Sequence, residues 1–306
     1  MSGPLLAVNC PGAGVPTGAA ATMNTLLVLN TWPWYKRLPV KWAILAFTVF
    51  AVCFPYPRLA YRHLQHWRNP NALIEPNAPA LQPWVEELRP SLPADLPPRE
   101  ALQRVEGFVY KKVLYEWDWN TWGLSDYLPT VAEVIEMGKE DCDGRAVVAA
   151  SLLQNFGFKA QIVTDFAHVW VKTDKGEAMG PGRRKAVIAT DQGLQVQWSA
   201  LAELPRASSY GIAVFPLIRE MIVLLVGWWL MLRTNAGVIR SLFALVLLCM
   251  GLLFLRKGGG EYLKPVAWLQ IAGALCITIA VVLLFLRNRR AVGHDIAARA
   301  CDPGRM

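Results

Sequence analysis

The sequence predicts an α+β domain carried by about four helical transmembrane segments, and three observations predict it. Apolar residues gather in four blocks of near-spanning length, strand-like alternation is confined to residues 159 to 190, and helical periodicity fills the region before it. With 54% hydrophobic and only 18% charged residues over 306 positions, the composition is that of a membrane protein bearing a folded domain.

Taken in order, residues 1–37 read as a disordered tail, with the first 22 rich in Gly, Pro and Ala and Met23 standing as a second candidate start. Leu38 to Pro57 is uncharged apart from Lys41 and is framed by Lys36, Arg37 and Arg58, which makes it the first span. The late basic residues and the lack of a small-residue cleavage site argue against a secretory signal. Residues 58–98 follow as an arm, because Gln65 to Pro98 holds eight prolines and no long period.

Residues 99–209 read as the soluble domain, large enough for its own core. Leu102, Val105, Val109 and Val113 mark one face of a helix, and Asp118 to Tyr127 an aromatic loop. Thr130 with Glu133 forms a capping box that opens a short helix closed by Gly138. An apolar run from Ala146 to Phe156 stops at Gly157. Strands are expected near Lys159 to Thr164, Ala167 to Lys172 and Lys185 to Thr190, with Asp174-Lys175-Gly176 and Gly180-Pro181-Gly182 as turns.

Three further blocks complete the membrane part: 210–232, 237–255 and 265–286. The last has no charge in 22 residues and ends on Arg287-Asn288-Arg289-Arg290, a basic stop. Within 237–255, Arg240 lies close enough to the end to reach the interface. Arg219-Glu220 interrupts 210–232, so either the charges lie in the membrane against other helices or an interfacial turn precedes a shallow helix, and the second reading is preferred. Four spans place both chain ends on one side, residues 287–306 forming the second tail. Basic residues near the span ends number eight on that side and six on the other, which orients the domain away from the cytoplasm. The expected location is a bacterial inner membrane with a periplasmic domain.

The residues that carry chemistry are Cys142, His168 and Asp191. Cys142 stands directly before the apolar helical run, where a helix N-terminus favours thiolate, although Asp141 and Asp143 oppose it. Among the six cysteines it is the sole thiol of the soluble region, so no disulfide forms there. His168 shares a strand face with Trp170 and Lys172, and Asp191 ends the next extended run; nucleophile, base and orienting acid thus follow in chain order. Backbone N–H groups at the helix start are the expected oxyanion donors. Trp119, Trp122 and Tyr127 either wall a substrate groove, pack the core or belt the membrane surface. A metal set of Asp141, Cys142, Asp143 and His168 is disfavoured by the lack of paired-ligand spacing, and no cofactor is expected. The net charge of +8 is spread over span flanks and makes no case for nucleic acid.

From Tyr115 to Asp191 the chain resembles the transglutaminase-like superfamily, papain-related cysteine enzymes with Cys at a helix start followed by His and Asp on strands. The resemblance rests on Glu140-Asp141-Cys142-Asp143 with its Ala-containing helix, on Leu152 to Ala160 before a strand, and on His168-Val169-Trp170-Val171. Tyr115 to Asp118 and Trp122 to Tyr127, followed by Thr130 to Glu133, are similar to the bacterial transglutaminase-like cysteine proteinases. Glu140-Asp141 departs from the pattern, since many members carry a Gly shortly before the Cys. The resemblance implies a papain-like fold and peptidase, amidase or cross-linking chemistry on peptide or protein substrates, with Cys142 as nucleophile, His168 as base and Asp191 as its orienter. The alternative is a non-catalytic module of this fold serving as an assembly subunit among other membrane subunits.

Overall fold

A computed structural model describes residues 30–164, 168–180, 187–190, 193–196, 204–232, 237–261 and 264–286. Asp191 and most of both predicted tails lie outside the described residues. The architecture is mostly helical with small sheets, as an α+β reading requires in outline.

The first helix, α1 (Trp34–Cys53), gives way after a short break to α2 (Pro57–Arg68), bent from it by 89°. Residues 70–91 were expected to run as an extended arm; they form short 3-10 turns and α3 (Gln82–Leu88). The prolines start these elements, where a missing N–H costs nothing, and Leu73, Leu81, Val85 and Leu88 enter the main core. The stretch is therefore part of the folded domain.

Next comes α4 (Pro98–Lys112), burying Leu102, Val105 and Val109 as the spacing predicts, and then β1 (Leu114–Tyr115). A short α5 (Asp118–Thr121) interrupts the aromatic loop. Helix α6 (Val131–Met137) carries the predicted Thr130/Glu133 capping box and ends on Gly138 at φ 64°. Strand β2 (Lys139–Glu140) pairs in parallel with β1, Tyr115 opposite Glu140, and leads into α7 (Cys142–Asn155). From Ala146 to Leu153 every residue of α7 is buried, so it is the central helix around which the soluble core is built.

Beside α7 lies an antiparallel sheet of β3 (Gln161–Thr164), β4 (Val169–Thr173) and β5 (Gly176–Ala178), with Thr164 opposite Val169 and Thr173 opposite Gly176. The last predicted strand appears as β6 (Val187–Thr190), paired with β7 (Gly193–Val196) in a separate hairpin.

The membrane part consists of α8 (Leu204–Val214), α9 (Leu217–Met231), α10 (Val238–Gly259) and α11 (Ala267–Phe285). Helices α10 and α11 are each long and apolar enough to cross a membrane, and up to four spans result if each bent pair is one span. The pair α8 and α9 is bent by 108° at Phe215-Pro216, which places Arg219 and Glu220 in the first turn of α9 and not in mid-helix. Arg256 reaches back from the end of α10 to Glu220 and to the carbonyls of Ile212 and Phe215, neutralising the bend. At the opposite end, Lys41 and Asn30 donate to the carbonyls of Leu230 and Leu232, tying α1 to the end of α9.

Candidate active site

Cys142 is the first residue of α7, half-buried, and Asp141 caps the helix by accepting from the Asp143 N–H at 3.2 Å. Burial pushes the thiol up, the charge of Asp141 adds to it, and a bond from the Val169 N–H pulls the other way. That bond brings the sulfur against β4, at the residue next to His168. The expected oxyanion donors are partly spent, because the Asp143 N–H serves Asp141 and the Gly144 N–H serves Asp143 at 2.7 Å. What remains in the first turn is the Cys142 amide.

His168 is half-buried, and its ring lies parallel to Trp170 at 6.4 Å, on the shared face that the alternation predicts. Its Nε2 lies 2.9 Å from the carbonyl oxygen of Met179. A carbonyl only accepts, so Nε2 carries the proton and Nδ1 is the basic nitrogen. Met179 is the one non-glycine residue at positive φ among the described residues, at 58°, and it is 3% exposed. The strained turn aims its carbonyl at the imidazole, which is the orienting task expected of Asp191.

The aromatic candidates separate. Tyr127 is fully buried, its ring against Trp122 and its hydroxyl on Glu133, so it packs the core and walls no groove. Trp122 donates to Glu140 Oε2 at 2.8 Å and is half-buried. Trp119 stacks on Trp117 with centroids 4.8 Å apart and meets Phe215 at the α8–α9 bend edge-on. Tyr115, not singled out from the sequence, lies within electrostatic reach of Cys142, Asp141 and Tyr210, and Arg145 stacks over it at 5.0 Å.

Beneath the thiol the chain gathers carboxylates that sequence spacing did not reveal. Asp118, Glu140, Asp141 and Asp143 each offer one oxygen, all within 4.8 Å of one another. Asp118 and Glu140 are 1% and 0% exposed, and Asp118 Oδ1 and Glu140 Oε1 have no hydrogen-bond partner among the described residues. Burial first, and mutual repulsion second, raise Asp118 and Asp143 well above the usual carboxylate range. Burial likewise lifts Glu140 to about 7. Such a nest is relieved either by protons or by a hard divalent cation, which favours an all-oxygen set. It differs from the Cys- and His-containing set weighed from the sequence, and it was hidden because Asp118 stands far from Glu140 in the chain and reads there only as part of an aromatic loop.

Comparison with protein-family models, with curated proteins and with solved structures finds nothing that matches this chain.

Proposed function

We propose that the chain is a membrane-anchored, transglutaminase-like cysteine enzyme that transfers or hydrolyses acyl groups at amide bonds of peptide or protein substrates. The observation that carries this reading is the thiol at the first position of α7, set against the strand whose preceding residue, His168, has its Nε2 held by the Met179 carbonyl. In the proposed cycle His168 Nδ1 takes the thiol proton as sulfur adds to the amide carbonyl. The imidazolium then protonates the leaving amine, and a thioester remains. Water or a second amine attacks the thioester, gives its proton back to His168, and the thiol is restored. In this cycle the Met179 carbonyl does the orienting that the family resemblance assigns to Asp191, which lies outside the described residues.

Relief of the carboxylate nest, by protons or by a cation, would assist this chemistry, because it lowers the negative charge that opposes a thiolate. The proposed setting is a bacterial inner membrane, and the span charges favour the domain on the non-cytoplasmic face.

The second reading, a non-catalytic assembly module, is favoured by one observation: the thiol is half-buried directly beside the capping Asp141 carboxylate, a setting that disfavours a thiolate. Iodoacetamide alkylation of Cys142 as a function of pH separates the two. The enzyme reading expects an inflection well below pH 8 that disappears in His168→Ala, since a depressed thiol needs its imidazolium. Ordinary thiol behaviour in both proteins leaves only the assembly module.

A further inference from the structure

The site sits at the seam where the soluble domain meets the membrane helices, and every element on that side is fastened to them. Tyr115, Trp117, Trp119 and Phe215 make a continuous run of ring contacts from the neighbourhood of Cys142 to the α8–α9 bend. Trp117 also meets Tyr210 of α8 at 6.2 Å. Two main-chain bonds hold the loop in place: Arg219 Nη2 donates to the Gly123 carbonyl at 2.7 Å, and the Ser125 N–H donates to the carbonyl of Cys53, where α1 ends.

The helix that follows α1 lies across it and continues the same surface. One side of α2 is docked on the domain, through Arg62 to Glu133 at 2.8 Å and through His63 and His66 to the main chain of Leu128. Its other side exposes Tyr61, Leu64 and Trp67 at 63%, 50% and 60%, flanked by Arg58 and Arg68. An amphipathic helix at right angles to a span belongs in the interfacial plane, aromatic residues toward the acyl chains. An α2 so placed would hold the domain docked on it, and Cys142 with it, close to the membrane surface.

We infer that the substrate carbonyl of the Cys142 site belongs to a polypeptide anchored in the bilayer, presented from the membrane side of the Tyr115–Tyr127 loop. This rests on the cysteine-enzyme reading above and gives it a substrate class. A polypeptide fits the seam better than a phospholipid headgroup does, because Arg256 is already spent on Glu220 and two carbonyls. The Arg219 guanidinium is likewise engaged, on the Gly123 carbonyl, and is not free to take a phosphate.

The test uses the full-length protein in phosphatidylcholine vesicles, with Cys10, Cys53, Cys249, Cys276 and Cys301 changed to Ser. One iodoacetyl peptide is supplied free in solution and, in parallel, on a Lys-flanked Leu/Ala transmembrane helix. Alkylation of Cys142 is read by mass spectrometry. The reference is Lys175→Cys in a Cys142→Ser background, because Lys175 lies at the far end of β4 from the sulfur. The anchored-to-free ratio is expected to be about tenfold higher for Cys142 than for the reference, a gain set by effective concentration. Equal ratios overturn the inference. Faster reaction with an iodoacetyl phosphatidylethanolamine than with the anchored peptide overturns it in favour of a lipid substrate. His168-dependent alkylation without any preference for the anchored probe refutes the inference and leaves the enzyme reading standing; alkylation that ignores His168 refutes the enzyme reading itself. Trp119→Ala, which opens the ring contacts, is expected to reduce the preference for the anchored peptide.

Discussion

Met179 holds a left-handed backbone conformation that costs a non-glycine residue about 1–2 kcal/mol, and the bond from His168 is what the conformation purchases. Met179→Leu keeps volume and is expected to cost less than about 1.5 kcal/mol. Met179→Val, β-branched at the same φ, is expected to cost more and to release the imidazole. ¹⁵N NMR of the His168 ring checks this: the Nε2–H tautomer dominates in the natural chain and gives way to a mixture in Met179→Val, whereas an unchanged tautomer refutes the assignment. Glu140 provides the second residue-scale expectation. Its folded-state pKa is raised from 4.5 to about 7, so its contribution is full below the ordinary value and is lost as pH rises through the folded one. Glu140 should therefore contribute a decline in thermal stability between about pH 4.5 and 7, on the order of 3 kcal/mol at most, in addition to the decline from the raised Asp118 and Asp143, and Glu140→Gln should remove its share. Millimolar calcium is expected to raise the midpoint at pH 8 more than at pH 5, because protons and cation compete for the same oxygens. A pH-independent melting curve counts against both statements.

At the scale of elements, the sequence was legible wherever local chemistry decides. The Thr130/Glu133 box and the left-handed Gly138 bound α6 as expected, and Thr130→Ala should cost about 1 kcal/mol in chemical denaturation, with no effect on the alkylation profile of Cys142. Helix α4 buries the side its spacing marks. Legibility failed where one residue type serves two opposite purposes. Proline both breaks and begins helices, and in residues 70–91 it begins them; the reading as an arm counted only the breaking. The charged pair in 210–232 was more legible: a turn ahead of a short helix was the preferred reading, and the chain bends by 108° at Pro216 and puts the charges at a helix start. In the site, the thiol and imidazole were legible as residue types. The Met179 carbonyl was not, because every residue has one and only the fold selects it.

For the molecule as a whole, the membrane part is organised around the packing of α10 on α11. A Cβ at Gly251 would meet the Gly273 carbonyl oxygen at 2.9 Å, and one at Gly273 would meet that of Gly251 at 2.8 Å, so the two backbones touch. Gly251→Val is expected to force them apart at a cost of roughly 2 kcal/mol. A lowered unfolding midpoint in detergent, with the Cys142 alkylation profile intact, would show that the helical hairpin and the soluble core are separately stabilised. An unchanged midpoint would mean that the close approach is not maintained. The two cores are indeed distinct clusters, one around α7 and one around Ala244, Leu248, Ala280 and Leu284.

Helix α9 has 15 residues, a length of about 22 Å, against a hydrocarbon thickness of about 30 Å. A bilayer accommodates such a short segment by thinning around it or by drawing its flanks inward. The first turn of that helix grips Gly123 through Arg219, so the load is not confined to the lipid. Where α9 crosses the bilayer, acyl-chain length is expected to act as a mechanical input, delivered through one guanidinium to Gly123 and the aromatic loop around it.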